Sequence, residues 1–220
     1  FLRFNEDGKA YRTTAEQLYL PTAELKQYFA SKPATRFVDY DGYIELVGAD
    51  QDKHLTSFLS ELGVRTNPIT YEISDAGYYH RECERVIDGL QELINAVAES
   101  NDRTLSIFLW NRLCAFVDDN QLGFRVLNKA VMSRPDGRYN FRTEYEPSPT
   151  MIALKTTAWL LTDGGEFVSA ENVAREHLSS DYDLESENAA SLLDILGIEK
   201  ACPNEDDEIE DDSNLTDAQR

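Results

Sequence analysis

Two stretches of this chain follow one pattern. Phe1 to Leu18 reads FLRFNEDGKAYRTTAEQL, and Thr157 to Val173 reads TAWLLTDGGEFVSAENV. Each is an apolar strand, an Asp-Gly turn and a second strand, followed by a Glu-amide-aliphatic step. Asp7-Gly8 and Asp163-Gly164 are dipeptides that tolerate positive φ, which a tight hairpin turn requires. Tyr11 and Phe167 follow at the same distance, as do the hydroxyls Thr13 and Ser169.

The match continues downstream. Leu55, Phe58, Leu59 and Leu62 are spaced i, i+3, i+4, i+7 before Gly63 and Val64. Ala189, Leu192, Leu193 and Leu196 repeat that spacing before Gly197 and Ile198. An apolar stripe at this period predicts one helix face, and the glycine predicts a left-handed C-terminal stop. The fold expected is α+β: two small hairpin-plus-helix units, 1–70 and 157–200, flanking a helical insert with a β-hairpin at 71–156. A tail follows at 201–220. Within the first unit, Thr22 should cap a short helix carrying Leu25, Tyr28 and Phe29, and TRFVDYDGYIELVG reads as short strands around Asp41-Gly42. Trp159 should anchor the second unit, with Phe1 or Phe4 in the matching place of the first. Each unit should bury its stripe against the insert, because neither is large enough to stand alone.

In the insert, Cys83, Val86, Ile87, Leu90, Leu93, Ile94 and Val97 predict one long amphipathic helix, and Leu105, Phe108, Leu109, Leu113, Phe116 and Val117 another. LGFRVLNKAVMSRPDGRYNFRTEY predicts a hairpin about Pro135-Asp136-Gly137. Tyr139, Phe141, Thr143 and Tyr145 fall on one face of it. A short helix around Met151, Ile152 and Leu154 leads to Trp159.

Composition decides which partners are admissible. The net charge is −20. Residues 201–220 hold eight acids and one base, so the tail carries −7 and the other 200 residues −13. Such a surface works against nucleic acid and anionic lipid. Seven acids in the eight positions Glu205 to Asp212 predict disorder there. No run approaches 18 uncharged apolar residues and no signal peptide is legible, so no membrane span is expected. Three cysteines without a CxxC motif suit a reducing cytoplasm. The chain opens on Phe rather than Met, which suggests an N-terminus trimmed or cut from a longer chain.

Chemistry-bearing patterns are sparse. His80 and Cys83, i, i+3 on the expected helix with Glu84 beside them, could hold a metal. No second pair follows at a ligand spacing, and a cysteine on an apolar stripe is ordinarily inert core. No metal or cofactor is expected. His54 and His177 have no Cys or His nearby, and neither GxSxG nor GxxxxGK[ST] occurs. Asp39-Asp41 and Asp118-Asp119 read as solvated acids among 41. Tyr78, Tyr79, Tyr139, Phe141 and Tyr145 form a candidate recognition face, although tyrosine on strands is more often sheet packing. Arg134, Arg138 and Arg142 could take an acidic partner there, or pair with neighbouring acids, the plainer account. The chain therefore reads as non-catalytic.

The stretch TTAWLLTDGGEFVSAENV, a short acidic spacer and then SLLDILGIEK resembles the region downstream of the ATPase domain in sacsin-like and NO VEIN-like proteins. QLYLPTAELKQYFASKPATRFVD and YNFRTEYEPSPTMIALKTTAWL are in the same style, and the likeness spans most of residues 1–200. These proteins are headed by an HSP90-type ATPase domain, and many bacterial members are uncharacterised or defence-associated. Ala170 departs from the pattern, where proline is common. The ATPase signature, a helix with Glu and Asn followed by Asp-x-Gly-x-Gly, is not found here. The resemblance implies a scaffold or interaction module of a larger cytoplasmic ATPase protein, with other domains of the same chain, or another protein, as partners. The alternatives are a freestanding peptide- or protein-binding domain and, in third place, an enzyme with an unrecognised carboxylate site.

Overall fold

The first strand of the chain, β1 (Leu2–Glu6), turns at Asp7-Gly8 into β2 (Lys9–Thr13), with Phe4 opposite Tyr11. Asp7 (φ 51°) and Gly8 (φ 73°) both take the left-handed conformation of a tight hairpin. The computed structural model describes residues 1–77, 80–118, 125–133 and 139–199, and for 72–85 and 118–146 the description is of backbone alone. The described residues form an α+β fold of helices and small antiparallel hairpins.

After the hairpin, a 3-10 turn at Ala15–Gln17 delivers an extended segment through Leu18, Tyr19 and Leu20. Thr22 Oγ1 accepts the Leu25 N–H and starts α1 (Ala23–Tyr28), which buries Leu25, Tyr28 and the following Phe29. The expected strands around Asp41-Gly42 are instead α2 (Tyr40–Val47). The reason is local: the Asp39 carboxylate accepts the Gly42 N–H at 3.3 Å and caps a helix. Only Phe37 and Val38 remain extended, bridging to Tyr19 and Phe4 respectively. A turn at Ala49–Gln51 leads into α3 (Asp52–Glu61).

The insert begins with β3 (Thr70–Gly77) paired to β4 (His80–Ile87). Residues 83–87 are therefore strand, not the start of a long helix. Gly89, at φ 82°, ends the strand and sets the entry to α4 (Leu90–Ser100). In that conformation a helix cannot run through from Cys83. The helix α5 (Arg103–Asp118) follows, its first turn capped by the Asp102 carboxylate on the Thr104 and Leu105 N–H groups. The expected hairpin is β5 (Arg125–Ser133) with β6 (Tyr139–Pro147), and β5 lies beside β4. Ser148 caps α6 (Pro149–Thr156), which has proline in its first turn.

The second unit repeats the first. Its hairpin is β7 (Leu160–Leu161) and β8 (Phe167–Val168), with Leu161 opposite Phe167. The turn differs from expectation: positive φ falls on Gly165 (82°), not on Asp163 or Gly164. Gly165 N–H donates to Thr162 C=O, so Asp163-Gly164 forms the body of a turn and Gly165 takes the left-handed place. A 3-10 turn at Ala170–Asn172 matches Ala15–Gln17, and α7 (Glu187–Leu196), capped by Ser186, matches α3.

Both helices stop in the same way. Val64 N–H donates to Leu59 C=O and Gly63 N–H to Ser60 C=O. Ile198 N–H donates to Leu193 C=O and Gly197 N–H to Asp194 C=O. With φ of 94° at Gly63 and 78° at Gly197, these are two Schellman ends. The next residue returns to the segment after the 3-10 turn in each copy. Arg65 exchanges bonds with Leu18 and Leu20, and Glu199 C=O accepts the Arg175 N–H. The repeated sequence thus encodes a repeated hydrogen-bond circuit.

Two apolar cores result. The larger gathers Tyr19, Tyr28 and Phe29 from the first unit with α4, α5, Leu154 and the second unit, around Trp110 and Trp159. The smaller lies inside the first unit and holds Phe4, Leu18, Leu20, Val38, Leu55, Leu59 and Val64. Phe4 takes the buried place and Phe1 is exposed. The two units do not bury equal stripes. All four stripe residues of α7 are buried, but in α3 only Leu55 and Leu59 are, while Phe58 and Leu62 face solvent. The first unit closes its helix into its own small core rather than on the insert.

Candidate functional site

Three polar constellations among the described residues could carry chemistry. The first joins the first unit to the insert. Asp88, just after β4, accepts from the Tyr19 hydroxyl at 2.8 Å and from Lys32 Nζ at 2.5 Å, and Glu92 on α4 lies 3.4 Å from the same ammonium. Burial, helped by the Asp88 carboxylate, pushes the Tyr19 phenol up to about 12. Burial pulls the Lys32 ammonium down, but Asp88 and Glu92 together outweigh it and its pKa is raised. A lysine so held is a charged clamp, not a nucleophile, because its free base is suppressed.

The second lies within the larger core. Leu161 N–H donates to the Tyr182 oxygen at 2.7 Å. Tyr182 O–H donates to Ser106 Oγ at 2.6 Å, since Ser106 uses its own proton on Trp159 C=O at 2.6 Å. The Trp159 indole N–H closes on Leu154 C=O at 2.7 Å. Trp110 stacks on Tyr182 with ring centroids 4.8 Å apart. A serine beside a tyrosine invites a catalytic reading, but both residues are buried and both hydroxyls are already paired.

The third is a surface cavity of about 220 Å³ lined by Leu20, Pro21, Thr22, Tyr40, Asp52 and Thr56. Tyr40 O–H lies 2.9 Å from the Asp52 carboxylate and 2.7 Å from Thr56 Oγ1. The Thr22 hydroxyl is already engaged as the α1 cap. The cavity's polar groups thus tie α2 to α3 and start α1.

The residues singled out in the sequence are distributed differently. Asp7, Gly8, Asp163, Gly164, Gly63 and Gly197 are turn and cap residues, and Trp159 is fully buried. Tyr139, Phe141, Arg142 and Tyr145 lie on β6 opposite Ser133, Val131, Ala130 and Leu127. Their side chains, and Arg134, Arg138, Tyr78, Tyr79 and the tail 201–220, lie outside the described residues. His80 and Cys83 sit on β4, so the helical i, i+3 geometry that would have brought them together does not exist. Asp39 is a helix cap ion-paired to Arg3, and Asp41 is exposed. Among the described residues, no three His, Cys, Asp or Glu groups converge as a metal set. Cys114 on α5 is half-buried, and burial with nearby Asp183 pushes its thiol up to about 11.

Sequence reasoning missed Tyr19, Lys32, Asp88, Ser106, Trp110 and Tyr182. Arg112 was missed too: it pairs with Glu24 of α1 and lies over the Phe116 ring at 5.2 Å. No family model, no curated protein and no solved structure matches the chain.

Proposed function

We propose that this chain is a non-catalytic scaffold and contact module of a larger sacsin-like or NO VEIN-like ATPase protein, working in the cytoplasm and in bacterial members in a defence setting. One observation carries the proposal. Polar side-chain pairs bridge segments far apart in the chain: Lys32 to Asp88, Ser106 to Tyr182, Arg112 to Glu24. Interlocking of this kind makes a stiff body that a nucleotide-driven domain can move as one piece. The resemblance supplies that ATPase domain. Among the described residues no helix is long and apolar enough to cross a membrane. The charge of −13 outside the tail works against nucleic acid, and other domains of the same parent chain are the partners favoured.

The test is deletion of residues 1–199 from the parent protein. Nucleotide binding by the ATPase domain should persist while assembly with its partners is lost. Turnover of ATP by the purified chain alone would sink the proposal.

A further inference from the structure

The internal repeat supplies its own control for what ought to be covered. In α7, Ala189 and Leu193 correspond to Leu55 and Leu59 of α3, and all four are buried. Leu192 and Leu196 correspond to Phe58 and Leu62. The first two are buried in the larger core, where α7 packs against α5 and α6. Phe58 and Leu62 are 55% and 46% exposed, and α3 packs on α2 and the turn between them. Residues i and i+4 on a helix lie side by side, so this is one continuous apolar face.

We propose that this face of α3 is a docking surface for a basic amphipathic helix. The second unit shows the kind of cover it takes, since the neighbour of α7 is the amphipathic helix α5, which buries Leu109, Trp110, Leu113 and Phe116. The setting is also distinctive. Among the described residues, Leu46, Val47, Phe58 and Leu62 all fall within α2 to the end of α3, whereas the other large exposed apolar side chains are scattered through the chain. An isolated exposed apolar residue needs no explanation, but two side by side on one helix, at positions that are covered in the repeat's other copy, mark a contact surface. Charge fixes the sign of the partner. Asp41, Glu45, Asp50, Asp52 and Glu61 are exposed along the same stretch, against Lys53 alone among lysines and arginines. A helix with lysine or arginine flanking an apolar stripe is attracted there, and an acidic one is repelled.

This inference deepens the module proposal and rests on it for the partner's role, but its test uses this chain alone and can fail separately from the parent-chain deletion. The probe is a fluorescein-labelled leucine–lysine peptide of about 14 residues, four helical turns, with leucine at i, i+3, i+4 and i+7. Binding to the full 220-residue chain is read by fluorescence anisotropy. The salt is about 150 mM, where the Debye length is near 8 Å. The double variant Phe58→Ser, Leu62→Ser should weaken binding at least about tenfold, the scale of one well-packed interface residue. Its Tm should fall only slightly, since about half of each side chain is already in water. Ile152→Ser, an exposed apolar site elsewhere, should leave affinity unchanged. A leucine–glutamate peptide of the same pattern should bind at least about tenfold more weakly. Affinity indifferent to the double variant would mean that charge alone attracts the peptide, and the proposal fails. Absence of peptide binding fails it equally. Sedimentation showing a dimer that the double variant dissolves would assign the face to a second copy of this chain and overturn the proposed partner.

Discussion

Leu18 and Tyr19 are neighbours in the chain and belong to different cores. Leu18 is in the small core of the first unit, and Tyr19 is in the large core beside Phe29 and below Arg65. Extended backbone makes this possible, since successive side chains point to opposite sides. Tyr19 N–H donates to Arg36 C=O and its carbonyl accepts from Val38, while Leu18 and Leu20 bond to Arg65 on the other side. Neither core can therefore open without disturbing the segment they share. Leu18→Ala should cost about 2–5 kcal/mol as a buried cavity. Chemical denaturation should still give one transition by circular dichroism and by tryptophan fluorescence. The tryptophans report only the large core, so separated midpoints would mean that the first unit melts on its own.

Trp159 and Tyr182 should be separable by energy. Trp159→Ala removes a fully buried indole and leaves a cavity, at about 3–5 kcal/mol. Tyr182→Phe keeps the ring stacked on Trp110 but strands the Leu161 N–H and one Ser106 contact, at about 1–3 kcal/mol. Urea denaturation of the two variants orders them. A Tyr182→Phe variant as stable as the parent chain would mean that water replaces the hydroxyl.

Three glycines should rank by what a methyl group would meet. At Gly63 and Gly197 the nearest atoms to an added Cβ are 3.5 and 3.6 Å away, so the cost of alanine is the left-handed φ alone, about 1 kcal/mol. At Gly89 the Cβ would stand 2.7 Å from the Phe29 ring. Gly89→Ala should therefore be the most destabilising of the three, adding a core clash to the backbone term. Thermal melts of the three variants test the order, and equal losses would refute it.

Alkali should unfold the chain through Tyr19 and Lys32. Both bind their protons more tightly in the folded state, Tyr19 at about 12 against 10.0 and Lys32 above 10.5. The stability they contribute is present in full below their unfolded values, near pH 10, and is lost as pH rises through the folded ones. Asp88→Asn, which removes the shared carboxylate, should lessen this loss without abolishing it, because burial, the larger cause at Tyr19, and Glu92 beside Lys32 remain. Denaturation midpoints from pH 9 to 12 would show it, and a parallel fall in both proteins would place the effect on other groups.

The repeat was legible because both copies use residues whose roles are local. Asp-Gly makes a turn and glycine after an apolar stripe makes a helix end, whatever the surroundings. Cys83 to Val97 was misread because helical spacing persists by coincidence across a boundary that Gly89 marks. Asp41-Gly42 was misread because a turn dipeptide also fits the first turn of a helix, and only the Asp39 cap decides. Tyr182 was hidden in what looked like an acidic spacer. Its importance comes from Ser106, 76 positions earlier, which no local pattern could reveal. The unequal stripes of α3 and α7 are likewise a property of tertiary cover, since the two sequences have the same spacing.

The extended segment at Leu18–Leu20 also has a mechanical meaning. The β1–β2 ladder is an antiparallel hairpin, so a pull that separates its two strands at their open end breaks its bonds one after another, as a zipper does. Tyr19 bridges Phe37 and Arg65 in parallel, and a pull along that segment loads the bonds to Arg36, Val38 and Arg65 together. A tug on this module would find a soft handle at the hairpin and a stiff rivet at Tyr19.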